Sequence, residues 1–361
     1  MRRVLVSVAL FVAAILAMAG SAQGATGWTQ PVKVWNGNYS NPSVVVDAHG
    51  HVFMAARGDT GIWLLTNKTG RWTRTRLTTD TTQGGQPVTG DDPTLVRDPW
   101  DGSLTVVYTR DYCCDTPSGS DVRYVTNRSG AWSAPATIPG VRMAQAVSVR
   151  HGVIAVASRT GDFDSTTVAF ATNASGHWTR ATIGSERIGG PDDPSLALDS
   201  HLRPVIAYVT STMSGVVTIH LATGQTKTGD FKLTKIVTGS VNDPILALDA
   251  HDQPHVAYFH WGGITYASRG SSGWSFSRVT DITVNLAELR LDVQGHPRFL
   301  FARDNGLWYA TKSASGWHEV HLDSRTLLNV PSLALGPGGK AYAAYACGGY
   351  SNARVWLTHA L

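Results

Sequence analysis

A short apolar segment recurs seven times along the chain, and this repeat limits the possible folds more than any other feature. It reads NPSVVVD from Asn41, DPTLVRD from Asp92 and DPSLALD from Asp193, and the other copies are looser variants of this pattern. The copies begin at residues 41, 92, 144, 193, 243, 286 and 330, so neighbouring copies are 43 to 52 residues apart. A period of this size is typical of architectures in which one small supersecondary unit is repeated and stacked.

Each copy is followed by three further segments in which large apolar residues alternate with smaller or polar ones, as in β-strands. In the fifth repeat these are PHVAYF, ITYAS and the segment that starts at Trp274. The last of the three opens with an aromatic residue in six repeats: Trp72, Trp132, Trp178, Phe231, Trp274 and Trp317. Four short strands per unit of roughly 45 residues predict an all-β fold, a β-propeller with one four-stranded antiparallel blade per repeat.

The seventh repeat lacks its fourth strand, because the chain ends at Leu361 just after the third-strand segment VWLTH. The opening stretch has the missing pattern: Trp28 lies 14 residues before Pro42, as Trp317 lies 14 residues before Pro331. We therefore expect residues 28–34 to pair with residues 355–358 and to complete the last of seven blades. Such pairing also covers a strand edge that would otherwise be open to aggregation.

The first 24 residues have the pattern of a secretory signal peptide, with two arginines, an apolar run over residues 4–18 and small residues at 22–24. The sequence thus predicts a secreted, extracellular protein whose mature form, residues 25–361, is a single propeller domain without a membrane span. Without the two arginines of the signal, 28 basic and 26 acidic residues remain, a net charge of +2. This balance, without basic runs, argues against nucleic acid as a partner, and we expect a monomer.

The segments PSLALD, PVIAY and SGHW resemble those of the sialidase-like (BNR-type) family of secreted bacterial β-propellers, and the resemblance covers residues 28–361. It implies glycan chemistry or glycan binding at one face of the ring. Propellers host many unrelated activities, so the residues on that face must decide the function.

Antiparallel order places the start of each first strand and the end of each second strand at the same end of a blade, here called the entrance face. Asp92, Asp193 and Asp243 begin the first strand in three repeats, each directly before Pro. An Asp in this position commonly holds a turn by accepting backbone N–H groups. Its oxygens equally suit sugar hydroxyls or a Ca²⁺ ion, the one cofactor that the sequence leaves open.

Four arginines lie at the ends of second strands and should share the entrance face: Arg57, Arg110, Arg159 and Arg303. Guanidinium groups bind carboxylates and sulfates in a bidentate manner, so a cluster of them favours an anionic carbohydrate as the partner. The alternative is local pairing with the adjacent acids, Asp111 and Asp304.

Aromatic side chains expected on the same face are suited to stacking on sugar rings. His260 and Trp261 stand in the fifth repeat where the sixth has Arg-Asp, and Tyr112 lies in the long loop between the second and third strands of the second repeat. The alternative is that these rings simply pack over their neighbours.

Glu288 and Asp193 are the candidates for a catalytic acid or base. Glu288 is one of three glutamates in the chain and lies near the start of a first strand. A general acid would need a raised pKa and a second carboxylate within reach. Arg290, two residues further on and therefore on the same side of the strand, offers an ion pair as the alternative.

The cysteines and histidines show no spacing typical of a metal site. Cys113 and Cys114 could form a vicinal disulfide, or one of them could bond to Cys347; geometry decides between these pairings. The turns opposite the entrance face carry histidines that are spread around a wide ring, so we expect no metal there: His49, His51, His201, His251 and His296.

Three functions are compatible with these residues. The first is a secreted glycan-recognising propeller with one asymmetric site near the central channel, since the loops and the candidate ligands differ between repeats. The second is a sialidase-like glycoside hydrolase or a polysaccharide lyase that uses the same face. The third is a protein-binding scaffold without small-molecule chemistry.

Overall fold

The computed structural model describes residues 27–78, 90–112, 119–160, 167–183, 193–212, 214–284, 286–303, 306–349 and 352–361. These residues form seven four-stranded antiparallel sheets arranged as the blades of a ring. The fold is the seven-bladed β-propeller that the repeat predicts. In this part of the chain the one helical element is a 3₁₀ turn, Pro337–Gly339, and no helix has the length and hydropathy that a bilayer crossing requires.

The strands of blades 1 to 4 follow one another in chain order. Blade 1 contains β2 (Tyr39–Val46), β3 (Val52–Gly58), β4 (Gly61–Thr66) and β5 (Thr73–Arg76). Blade 2 contains β6 (Gly90–Arg97), β7 (Leu104–Tyr112), β8 (Gly119–Thr126) and β9 (Ala136–Ile138). Blade 3 contains β10 (Ala146–Arg150), β11 (Val153–Thr160), β12 (Thr167–Thr172) and β13 (Thr179–Ile183). Blade 4 contains β14 (Ser195–Leu198), β15 (Pro204–Ser211), β16 (Val217–Thr226) and β17 (Gly229–Gly239).

Blades 5 and 6 repeat this order, and blade 7 combines both ends of the chain. Blade 5 contains β18 (Val241–Leu248), β19 (Pro254–His260), β20 (Gly263–Gly270) and β21 (Gly273–Thr280). Blade 6 contains β22 (Leu286–Leu291), β23 (Pro297–Arg303), β24 (Gly306–Ser313) and β25 (Gly316–Asp323). Blade 7 contains β26 (Ser332–Leu335), β27 (Ala341–Cys347), β28 (Arg354–His359) and β1 (Val32–Lys33).

The N-terminal segment closes the ring, as the spacing of Trp28 predicts. Strand β1 pairs antiparallel with β28, and Trp28 forms a further bridge to Ala360. The indole of Trp28 is 8% exposed and meets the ring of Tyr309 edge-on, with 4.9 Å between ring centres. Because Tyr309 belongs to blade 6, the first segment both completes blade 7 and packs it against its neighbour.

The innermost strands of neighbouring blades are linked by hydrogen bonds from backbone to side chain. Ser43, Ser195 and Ser332 stand at the third position of the repeat, and each accepts a backbone N–H of the next blade. The donors, at 2.9 to 3.0 Å from these hydroxyl oxygens, are Leu95, Leu246 and Val44. These contacts satisfy backbone donors inside the ring and help to set the position of each blade relative to the next.

Candidate functional site

Three blades begin with a β-bulge at the entrance face. The pairing register of β2, β6 and β18 shifts where Asn41, Asp92 and Asp243 stand, and these residues have φ angles of 48°, 46° and 46°. Gly, Asn and Asp enter this left-handed region at the lowest cost, since their side chains are absent or short and polar. Backbone geometry therefore explains the choice of Asn or Asp, whatever else these side chains do.

A cavity of about 960 Å³ occupies the centre of the ring. Its described lining comes from blades 6, 7, 1, 2 and 3, with Asp193 from blade 4. Three of the residues selected from the sequence line it: Asp92, Asp193 and Glu288. The volume lies in the range of small-molecule sites, and the unequal contribution of the blades makes the cavity asymmetric.

Polar side chains from neighbouring blades form hydrogen bonds at the cavity mouth. Asn41 donates from Nδ2 to Oδ1 of Asp92, and Gln145 donates from Nε2 to Oδ1 of Asp193. Oε1 of Gln145 accepts the backbone N–H of Arg159. The sequence analysis misses Gln145, although one signal was available: the third repeat begins with AQ where others begin with NP or DP.

The negative charge of Asp243 influences the carboxyl group of Asp193. Desolvation raises the pKa of Asp193, the positive charge of Arg159 opposes this rise, and the negative charge of Asp243 adds to it. Desolvation also raises the pKa of Asp243, whose Oδ2 accepts a hydrogen bond from Asn242 at 3.1 Å. Carboxylates with raised pKa values beside a cavity are typical of functional sites.

We expect Asp243→Asn to raise the melting temperature at pH 7 and to have little effect near about pH 3.5. The pKa of Asp243 in the folded protein lies above its ordinary value of 3.8, so the native state binds a proton more tightly than the unfolded chain. Stability is therefore lost as the pH rises through the folded-state pKa. Asparagine removes this cost and also tolerates the positive φ.

Asp292→Asn is the control, and it should change the stability at pH 7 in the opposite direction. Burial alone would raise the pKa of Asp292, but hydrogen bonds from His296, Arg298 and Gln294 outweigh it and lower the pKa. This replacement should destabilise the protein at pH 7, and its cost should vanish as the pH falls through the lowered pKa. Thermal melts of both variants from about pH 3 to 8 show whether each one changes the stability in the expected direction. A gain from Asp243→Asn that is independent of pH would contradict the assignment.

Glu288 is held between blades 6 and 7. Its carboxylate pairs with Arg290, as their spacing predicts, and accepts the backbone N–H of Leu333. Burial raises the pKa of Glu288, while Arg290 and the Leu333 N–H oppose the rise. Glu288 stands at the third position of its repeat, where Ser43 and Ser195 accept the corresponding N–H groups. Its clearest role is thus a link between blades, although it also lines the cavity.

The four arginines at the ends of second strands, Arg159 among them, are absent from the described lining of the cavity. Arg110 forms a bidentate pair with Asp121, with N–O distances of 3.2 and 2.8 Å. Arg303 is 7% exposed and donates to Glu319 at 2.7 Å. Arg57 lies within β3, outside that lining. Arginines 110 and 303 thus pair with acids of other strands of their blades, Asp121 on the adjacent β8 and Glu319 on β25, two strands away. The side chains of the adjacent acids considered from the sequence lie outside the described residues.

Trp261 is held on the entrance face in a backbone conformation that costs energy. With Gly262 it forms the two-residue turn between β19 and β20, with φ angles of 49° and 78°. Hairpin turns of the primed type need positive φ, but a bulky residue rarely adopts it. The Trp261 side chain is 74% exposed, and the ring of His260 lies 5.9 Å from it between centres. Local strain at an exposed aromatic residue points to a binding role.

Two expectations from the sequence concern residues that are described only in part. The backbone of Tyr112 ends β7, but its side chain lies outside the described residues, as do Cys113 and Cys114. Cys347 is a buried free thiol, and desolvation raises its pKa to about 12. The alternative in which Cys347 bonds to one of the other cysteines is therefore not realised.

The donors at the cavity mouth fit a calcium ion poorly. Ca²⁺ takes about six to eight oxygen ligands. The groups that contact Asp92 and Asp193 are amide nitrogens, from Asn41 and Gln145, and Oε1 of Gln145 already accepts a backbone N–H. In this described part of the site, one oxygen of each carboxylate and Oε1 of Gln145 thus already take part in hydrogen bonds within the protein.

No protein-family model and no curated protein matches the chain in sequence. Among solved structures, an ulvan lyase of polysaccharide lyase family PL25, bound to -[GlcA(1-4)Rha3S]-, has a TM-score of 0.56 and 14% identity over 91% of this chain and 95% of its own. A protein of unknown function from Dyadobacter fermentans DSM 18053 has a TM-score of 0.53 and 11% identity over 93% of this chain and 100% of its own. The Hadza microbial sialidase Hz136 has a TM-score of 0.50 and 11% identity over 90% of this chain and 66% of its own. Neighbours thus include a sialidase and a polysaccharide lyase, and at these identities the likeness is one of fold.

Proposed function

We propose that this protein is a secreted glycan-recognising propeller whose single asymmetric site is the central cavity with its rim on the entrance face. The polar mouth of the cavity carries the proposal, because carboxylates and amides of neighbouring blades meet there. Such groups both accept and donate hydrogen bonds, as recognition of sugar hydroxyls requires. The presence of an ulvan lyase and a sialidase among the neighbours in fold supports carbohydrate as the ligand class.

The charge of the site favours a neutral, hydroxyl-rich sugar at the mouth. Asp92, Asp193 and the nearby Asp243 bring three carboxylates to the mouth, and the guanidinium of Arg159 offsets part of their charge at Asp193. The expectation of an anionic ligand depended on arginines, of which Arg110 and Arg303 are neutralised by acids of their own blades. Trp261 lies on the entrance face outside the described lining of the cavity, and it offers a flat apolar surface on which a further sugar ring can stack.

A glycan array followed by titration with the best ligand tests the proposal. We expect Asp193→Asn and Trp261→Asn each to weaken binding at least about tenfold, a loss of about 1.4 kcal/mol. Asparagine at position 261 removes the indole but suits the positive φ, so the fold should be as stable as the wild type or more stable.

Asp230→Asn is the matched control, since Asp230 is exposed and has a positive φ at the start of β17, next to the turn from β16 on the face opposite the entrance. It should leave binding unchanged. If both Asp193→Asn and Trp261→Asn bound the glycan with full affinity, the glycan would have to bind at another place on the protein. An array without any bound glycan, together with recovery of a protein partner, would favour the scaffold function instead.

A glycoside hydrolase or polysaccharide lyase is the second candidate, and the raised pKa of Asp193 favours it. A protonated Asp193 would suit a general acid, with Asp243 as a nearby second carboxylate. Product release from a bound glycan, abolished by Asp193→Asn, identifies an enzyme. Binding without product release identifies a glycan-binding protein.

A further inference from the structure

The turn between β2 and β3, on the face opposite the entrance, brings together Asp47, His49 and His51. One possible ligand atom from each lies within 4.8 Å of the others. Nδ1 of His51 is 2.8 Å from Oδ2 of Asp47, and Nδ1 of His49 is 3.9 Å from the same oxygen. Histidines of this face were expected to lie too far apart to share a metal, but this one turn places two imidazoles beside one carboxylate.

The backbone fixes this turn without help from a ligand. Oδ1 of Asp47 accepts the N–H groups of His49 and His51 at 2.8 and 2.9 Å. The backbone N–H of Asp47 donates to the carbonyl of His51 at 3.0 Å, and that of Gly50 donates to the carbonyl of Asp47 at 3.1 Å. Oδ2 of Asp47 is thereby held next to both imidazole rings, so little ordering is left for a ligand to impose.

The equivalent turns of blades 4 and 6 differ in one important respect. Oδ2 of Asp199 accepts Nε of Arg203 at 2.7 Å, and Oδ2 of Asp292 accepts Nη2 of Arg298 at 2.8 Å. A guanidinium therefore already neutralises the carboxylate in those turns. In blade 1 the residue that corresponds to Arg203 is His51, and the ring nitrogens that lie near Oδ2 of Asp47 are those of His51 and His49.

We propose that Asp47, His49 and His51 bind a divalent transition-metal ion such as Zn²⁺. Two imidazoles and one carboxylate form a known ligand set for Zn²⁺, with bonds of about 2.0 to 2.2 Å and a further position left for water. Tetrahedral bonds of this length separate ligand atoms by roughly 3.3 Å. The separations of 2.8 and 3.9 Å lie on either side of this value, and the His49 side chain, 79% exposed, is free to rotate.

The ligand atoms would be Oδ2 of Asp47 and one ring nitrogen from each histidine, which face one another across the turn. The ion would join both sides of the turn through side chains, in addition to the backbone bonds.

Isothermal titration of the purified protein without a histidine tag, with ZnCl₂ at pH 7.5, tests the proposal. We expect one site with a dissociation constant of about 10 μM or tighter. His49→Gln and His51→Gln should each weaken it at least about tenfold. His251→Gln and His296→Gln alter the corresponding turns of blades 5 and 6, which have a single histidine each between the strands, and should leave the affinity unchanged.

Thermal melts separate loss of a ligand from loss of structure. In EDTA, His49→Gln should melt at the wild-type temperature, because the side chain is exposed and its ring makes few contacts. Zn²⁺ should raise the melting temperature of the wild type and not that of His49→Gln. A wild type that does not bind Zn²⁺, or binding that survives in both His49→Gln and His51→Gln, overturns the proposal.

Discussion

Trp28→Ala is expected to lower the free energy of unfolding by about 3 to 5 kcal/mol. The indole is buried against Tyr309 of blade 6 and belongs to a cluster that includes Leu333 of blade 7 and, at its edge, Trp356. Alanine would leave a cavity between these blades, which the surrounding strands can close only in part. Burial of a Trp side chain is itself worth on the order of 4 to 6 kcal/mol as an upper estimate.

Removal of the whole segment, so that the chain begins at Asn36, should be more severe. Backbone hydrogen bonds from Thr29 to His359 and from Val34 to Val355, both 2.9 Å, would be lost with it. Strand β28 would then present an open edge, which promotes aggregation. We expect an insoluble protein, or a melting temperature lower by on the order of 10 °C.

Urea unfolding of Trp28→Ala and Trp100→Ala measures the first effect against a matched control. The Trp100 side chain is 72% exposed, so its removal should change stability by no more than about 0.5 kcal/mol. Equal midpoints for the two variants would contradict the assignment of Trp28 as the closing contact of the ring.

The fold could be predicted because its information is local and repeated. In each blade the strand pattern and the turn residues give the same register, and Trp28 has the same distance to Pro42 as Trp317 has to Pro331. A missing fourth strand at one end and a surplus strand at the other leave one arrangement that satisfies all edges. No contact between distant residues had to be guessed except the closure itself.

The partners of the arginines could not be predicted in this way, because they depend on register across strands. Arg110 lies directly opposite Asp121 in the pairing of β7 with β8. Glu319 reaches Arg303 from the fourth strand of blade 6. From the sequence, only the adjacent acids Asp111 and Asp304 were considered, and their side chains lie outside the described residues. Long side chains meet across a sheet, and a difference of one residue in register changes the partner.

The cavity mouth was predicted in part, for a related reason. Asp92 and Asp193 stand out in the sequence because they repeat, and both line the cavity. Gln145 contacts Asp193 but belongs to the repeat that departs most from the pattern. A search for similarity finds what the blades share, whereas an asymmetric site is built from what they do not share. Irregular positions of a regular repeat are therefore the better guide to function here.

Glu288→Ala is the second large effect that we expect, a loss of about 1 to 3 kcal/mol in stability. The backbone N–H of Leu333 would lose its acceptor, and Arg290 would lose its ion-pair partner. Glu288→Gln keeps an oxygen for Leu333 and should cost less. Glu288→Ser introduces the residue found at this position in blades 1, 4 and 7 and should also recover part of the loss. In urea unfolding, Glu288→Ala should therefore have the lowest midpoint of the three variants.

The same variants decide whether Glu288 also takes part in chemistry. A residue that only links blades affects stability through its acceptor oxygen, so Glu288→Gln should bind and process glycans as the wild type does. A Glu288→Gln protein with full stability and glycan binding but without turnover would instead make Glu288 the acid. Since Glu288 and Asp193 line the same cavity from blades 6 and 4, comparison with Asp193→Asn then assigns any proton transfer to one of them.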